Sequence, residues 1–333
     1  MASPYQQEGS LSSTVVVSDD LQVLSESIVM TIDTTFEYCN YEIEYNIEAD
    51  SVGGKLPLAF VTLDYLQGFE VSVDDVPLQS IDGYDIAFPF SVLDDKERKV
   101  VTIAWDKNES KSYDLDELHY YEIDVQQKVF VVKVSYTSKS WIDRSDWLKD
   151  YSFRYSLSPA EHWNKFGKLT LVVNYSGKED LQCNLSDDVK KSDSTWIWSF
   201  GGLPGKYLVI SKKIEINTLA QLCLWITPEG FGVLFFALFL TLHLRGIRSR
   251  NKQGQKGIYF FSIVGPSIIF PFVVFILYCF TYSAIDSLIG EEASRYHGYY
   301  FLMIVFYPVF MLLHWIIAHS MNENYSNQFL KDQ

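Results

Sequence analysis

The chain has 333 residues, room for two or three modest domains, and carries 42 acidic against 27 basic side chains, a formal net charge of -15. After Asn217 the only acidic residues are Glu229, Asp286, Glu291, Glu292, Glu323 and Asp332. The acidic excess therefore lies ahead of that point, where it argues against a nucleic-acid partner, because phosphate binding needs a positive footprint.

Period-two alternation dominates the front of the chain. "YEIEYNIE" puts Tyr41, Ile43, Tyr45 and Ile47 on one face and Glu42, Glu44, Asn46 and Glu48 on the other, the pattern of a strand with one wet side. "FEVSVDDVPL" reads as a hairpin turning at Asp74-Asp75, and "KVVTIAW" and "KVFVVKVSY" continue the pattern. Strands at this spacing predict an antiparallel, sandwich-like domain over residues 12–138.

Within that domain, "DKNESKSYDLDE" places Asp106, Asn108, Ser110, Ser112, Asp114 and Glu117 at positions 1, 3, 5, 7, 9 and 12 of an EF-hand-type loop. Oxygen ligands at that spacing suit calcium. However, Lys111 stands where glycine makes the sharp turn, and a strand rather than a helix precedes the loop, so a solvated acidic loop is the plainer reading and no cofactor is expected.

Residues 139–217 predict a smaller, membrane-proximal β-rich domain, with the alternative that both units form one fold. "SPAE" at Ser158–Glu161 has the signature of a helix start, and Gly167 of its end. Trp141, Trp147, His162 and Trp163 crowd the segment joining the two units; exposed, they would suit a binding surface, and buried, a core. Cys39 and Cys183 are in phase with apolar neighbours and read as core-facing thiols or a disulfide. Asn108, Asn174 and Asn184 begin N-x-S sequons, relevant only in a glycosylating secretory route.

Beyond Asn217 come three long apolar runs, predicting transmembrane helices at about 222–244, 259–282 and 299–318 within a region spanning 218–320. From Tyr259 to Tyr282 no charge appears, roughly 36 Å of helix at ~1.5 Å per residue against a hydrocarbon core of ~30 Å. The first run is interrupted by "TPEG", and Pro266, Pro271 and Pro308 are candidate kinks. Between the first two runs lies "HLRGIRSRNKQGQKG", read as a loop over 245–256, with Arg245, Arg248, Arg250, Lys252 and Lys256 and no acid. Short basic loops stay cytoplasmic, which places residues 1–217 outside and the tail, 321–333, inside. The start "MASPYQQEGSLSS" lacks the features of a signal peptide, and Lys212 and Lys213 pull mildly the other way.

Two features inside the apolar region carry chemistry. Glu229 follows Pro228 at the start of the first span, either an interfacial carboxylate or a functional group within the membrane. His243, His314 and His319 lie near the cytoplasmic ends of spans one and three, where they could hold a metal or haem; a five-residue separation is poor for placing His314 and His319 on one face. No G-x-S-x-G, H-E-x-x-H, Walker A or dinucleotide motif occurs. The sequence thus predicts an integral membrane protein of the plasma or inner membrane, with lipid and a protein partner or second copy as its contacts. A non-enzymatic binding or assembly role leads. A membrane-embedded metal- or haem-dependent enzyme is the alternative.

Overall fold

The computed structural model describes residues 13–16, 21–61, 65–81, 92–95, 100–106, 109–114, 118–157, 165–185, 188–254, 257–295 and 300–331. It divides into two compact units, Met1–Asp143 with Asp150–Lys213, and Arg144–Lys149 with Ile214–Gln333.

The first unit is built of strands. In chain order they are β1 (Ser13–Val16), β2 (Leu21–Ile32), β3 (Tyr38–Ala49), β4 (Lys55–Val61), β5 (Tyr65–Val73) and β6 (Val76–Pro77). Then come β7 (Val92–Asp95), β8 (Val100–Asp106), β9 (Glu109–Asp114), β10 (Leu118–Asp124), β11 (Val129–Lys139) and β12 (Trp141–Asp143). The last are β13 (Asp150–Ser156), β14 (Lys165–Tyr175), β15 (Leu181–Cys183), β16 (Lys190–Ser192), β17 (Thr195–Phe200) and β18 (Tyr207–Lys212). An eight-stranded sheet has the order β16-β17-β14-β2-β3-β11-β5-β6, and smaller sheets are β1-β4-β10, β12-β13-β18-β15 and β7-β8-β9.

The alternation in β3 works as the sequence predicts. Tyr41, Ile43, Tyr45 and Ile47 are buried, while Glu42 on the opposite face is exposed. The hairpin between β5 and β6 turns at Asp74 and Asp75, both with positive φ (48° and 66°). That backbone matches the twist of paired strands, and aspartate tolerates it.

The expected division at residue 139 does not appear. Strand β14 lies beside β2, in parallel, with Leu171 opposite Ile28 and Val173 opposite Met30. One core gathers Ile28, Tyr45 and Leu171 from the large sheet with Leu58 of β4, Ile123 of β10, Phe153 of β13 and Ile210 of β18. Parallel partners need a long connection, so their pairing leaves no local mark in the sequence. The parallel pair also makes the large sheet mixed rather than purely antiparallel.

Gly167, expected to end a helix, instead lies within β14; residues 158–164 fall outside the described residues. A Cβ at Gly167 would sit 1.9 Å from the Leu24 carbonyl oxygen. Opposite it, β2 has a bulge between Val23 and Ser25. The bulge shifts the strand's phase, so Glu26, Ile28, Met30 and Ile32 all turn inward after it.

Among the described residues, the second unit holds three helices long and apolar enough to cross a membrane. Helix α1 (Thr218–Lys252) breaks at Thr227, whose φ of 61° is non-helical, and restarts at Pro228. A single π-helical turn, Phe260–Val264, leads into α2 (Gly265–Ile289). A 3-10 segment, Tyr300–Phe306, leads into α3 (Tyr307–Lys331), so Pro308 sits at the change of helix type. The basic residues expected in a loop are mostly helical: Arg245, Arg248, Arg250 and Lys252 occupy the end of α1, where positive charge suits the helix dipole. Lys256 lies outside the described residues.

Candidate functional site

The break in α1 explains where its carboxylate stands. Proline is well placed at the first position of a restarted helix, and Glu229 then falls in the first turn, where a negative charge meets free backbone N–H groups. Tyr278 and Tyr282, four apart on α2, present their hydroxyls to it. Tyr282 Oη donates to Glu229 Oε1 at 3.2 Å, Tyr278 Oη lies 3.5 Å from the same oxygen, and the two hydroxyls are 2.9 Å apart. Each phenol has one proton, and 3.5 Å is a weak contact, so the geometry favours a chain in which Tyr278 donates to Tyr282 and Tyr282 to Glu229.

Two rings stack on Tyr282. Trp147 stacks on it at 5.3 Å and Tyr300 at 4.9 Å. Trp147 arrives with the short segment Arg144–Lys149, which is fixed to the end of α2: Ser294 N–H donates to the Trp147 carbonyl at 3.0 Å, and Lys149 N–H to that of Glu292 at 3.0 Å.

Below Glu229 the helices leave a cavity of about 200 Å3, walled by Phe236 of α1, Phe275 and Tyr278 of α2, and Tyr307 and Phe310 of α3. Gly232 contributes to its width, since a Cβ there would touch the Tyr278 ring at 3.5 Å. Glu229 itself is exposed, so its carboxylate stands at the mouth rather than in the interior.

Further along the same face of α1, His243 is buried and meets His314 of α3, which is fully buried. His243 Nδ1 lies 3.0 Å from His314 Nε2, and His243 Nε2 lies 2.9 Å from the Ser262 carbonyl. A carbonyl only accepts, so His243 carries its proton on Nε2. With both rings neutral, His314 Nε2–H then donates to His243 Nδ1. That assignment leaves His314 Nδ1 a bare acceptor without a partner among the described residues. His319 is not part of this pair; it meets the Tyr259 hydroxyl at 3.0 Å and Glu323 at 3.4 Å.

The other sequence candidates are scattered. Trp141 lies in β12, half-buried, with the Arg154 guanidinium 5.3 Å over its ring, and so in a different unit from Trp147. His162 and Trp163 lie outside the described residues, as do Asn108 and Glu117. Asp106, Ser110, Ser112 and Asp114 belong to the β8–β9 hairpin, with Asp106 paired to Glu109 and Thr102 to Ser112. An extended strand spreads alternate residues about 7 Å apart along its length, whereas a calcium loop must curl them round one point. Among the described residues, no group of three or more His, Cys, Asp or Glu side chains comes together as a metal site would require. All four cysteines are free thiols, and Cys39 is buried. The Asn184 amide is taken up by the β18 backbone, accepting from Val209 N–H at 2.7 Å and donating to the Tyr207 carbonyl at 3.0 Å.

One buried polar group escaped the sequence reading. Glu26 is 2% exposed in the β core, with Tyr155 Oη donating to its Oε1 at 2.8 Å and the Tyr45 hydroxyl against that of Tyr155. Burial raises its pKa to about 7, against the pull of the two tyrosine hydrogen bonds. Its signal was its phase with Ile28, Met30 and Ile32. The group is sealed from solvent, which suits a structural acid better than a reactive one.

No protein-family model and no curated protein matches the chain. Among solved structures, the M1 zinc metallopeptidase of Deinococcus radiodurans is 7% identical with a TM-score of 0.33, covering 61% of this chain and 46% of its own. Leukotriene A4 hydrolase of Saccharomyces cerevisiae is 8% identical with a TM-score of 0.36, covering 65% of this chain and 33% of its own. The chain thus spans less than half the length of either, and likeness at this level carries no argument.

Proposed function

We propose that this is an integral membrane protein that anchors an extracytoplasmic, sandwich-like β unit for binding or assembly, without catalysis of its own. One observation carries the reading. Apolar side chains of the three helices face outward, with Val233 68%, Phe261 72% and Val305 69% exposed, while the polar His243 and His314 are buried against each other. A water-soluble bundle has the opposite arrangement; lipid is the solvent that accepts this one.

The basic end of α1 supports one sidedness. Arg250 donates to Asn322 Oδ1 at 3.2 Å, and the Arg248 guanidinium lies 5.9 Å over the Tyr325 ring, so cationic groups gather at one end of the helix unit. By the positive-inside tendency that end is cytoplasmic and the β unit lies outside. Protease added to right-side-out vesicles should digest the β unit and spare the turn after Lys252. Cleavage of that turn with survival of the β unit inverts the proposal.

The runner-up, a metal- or haem-dependent membrane enzyme, draws on the meeting of His243 and His314. It requires metal or haem to copurify with the protein and to be lost in His314→Ala. Elemental analysis and the visible spectrum of detergent-purified protein decide it; protein free of both groups removes this version.

A further inference from the structure

The cavity below Glu229 has the chemistry of a receptor for an organic cation. Five aromatic rings, of Phe236, Phe275, Tyr278, Tyr307 and Phe310, form much of its wall, a carboxylate stands at its mouth, and none of its described lining residues is basic. Among the described residues, the Glu229 charge therefore has hydrogen-bond donors beside it but no cation in the cavity. The Tyr307 hydroxyl is already committed to the Ile268 carbonyl at 3.0 Å, and the Tyr278 and Tyr282 hydroxyls to each other and to Glu229. What remains for a ligand is ring faces and a carboxylate.

Each part of that combination favours the same guest. Aromatic faces attract cations, more strongly when water is excluded. A carboxylate beside apolar surface gains most from a charge-assisted partner. A volume of about 200 Å3 exceeds the roughly 150 Å3 of an apolar cavity known to take up benzene, so a ring-sized body fits. We propose that the cavity binds a small organic ammonium ion, its nitrogen at Glu229 and its apolar body among Phe236, Phe275 and Phe310. Such a group arrives either as a free amine or as the headgroup of an amine-bearing lipid.

The test uses benzylamine, benzyl alcohol and benzoate, which share a body and differ in head charge. Binding is measured on the full chain in nanodiscs of phosphatidylglycerol, with empty nanodiscs as the blank. Benzylamine should bind at least tenfold more tightly than benzyl alcohol, and benzoate more weakly than either. Glu229→Gln should bring the amine down to the level of the alcohol while leaving the alcohol unchanged. Val274→Trp, which fills the cavity, should abolish both, with thermal melts of each variant confirming a folded chain. Repeating the amine titration with phosphatidylethanolamine present separates the sources: competition identifies the lipid headgroup, and unchanged affinity a free amine. Equal binding of amine and alcohol to the unaltered chain overturns the proposal, as does an amine preference that survives Glu229→Gln, or no binding by any of the three.

Discussion

Glu26 makes the stability of the β unit depend on pH. Its carboxyl has a pKa of about 7 in the folded chain against an ordinary value of 4.5, so the folded state holds the proton more tightly. The stabilisation is complete below pH ~4.5 and is lost as pH rises towards the folded value, then stays flat. At 1.36 kcal/mol per unit the loss is about 3 kcal/mol. Glu26→Gln keeps an acceptor for Tyr155 but cannot ionise. Its stability should match the parent at pH 4 and exceed it at pH 8, read from denaturant melts at both. Parallel pH profiles for the two chains exclude this account. The alternation of β2 shows that a glutamate lies among apolar residues, but two facts were not local. The bulge at Leu24 decides the phase, and the tyrosines that satisfy the acid come from β3 and β13.

Elements show the same limit. The bulge in β2 and Gly167 in β14 are two halves of one device, since the Leu24 carbonyl occupies the place a side chain at 167 would need. Gly167→Ala should therefore cost about 1–3 kcal/mol by forcing the two strands apart. Exposed Lys168→Ala next to it should stay within about 0.5 kcal/mol. Equal melting temperatures for the two variants contradict the device. A glycine after a segment such as Ser158–Glu161 resembles a helix end, which is why the sequence pointed to a terminus at Gly167, where the structure has a strand. The interruption in α1 is the reverse case. "TPEG" already marks a break, because proline lacks the N–H an unbroken helix needs, and the structure adds only that the chain resumes as a helix at once.

At the scale of the whole molecule, the proposed binding role makes the wet face of the large sheet the surface to test. Glu42, Glu44 and Glu48 line β3 on that side, and the chain carries a net charge of -15. A partner recognised there would be basic, and its association should weaken with salt. Replacing all three by glutamine leaves the buried face intact. It should reduce recovery of the partner after mild-detergent purification roughly tenfold, or about 1.4 kcal/mol, with the melt unchanged. Undiminished recovery moves the binding surface elsewhere. Deleting residues 1–138 is not a clean alternative, because it removes the strand against which β14 pairs.

By itself the sequence determined what depends on neighbours along the chain. Alternation specified β3 and β11, Asp74-Asp75 specified a hairpin, and runs of uncharged residues specified three helices long and apolar enough to cross a membrane, because each signal is complete within one element. Only the tertiary structure decided what depends on partners far away in the chain. It joined β14 to β2 in a single core, brought His314 to His243, and set Glu229 over a ring of aromatic side chains. Those contacts arise when elements pack, and no stretch of sequence contains both sides of any of them.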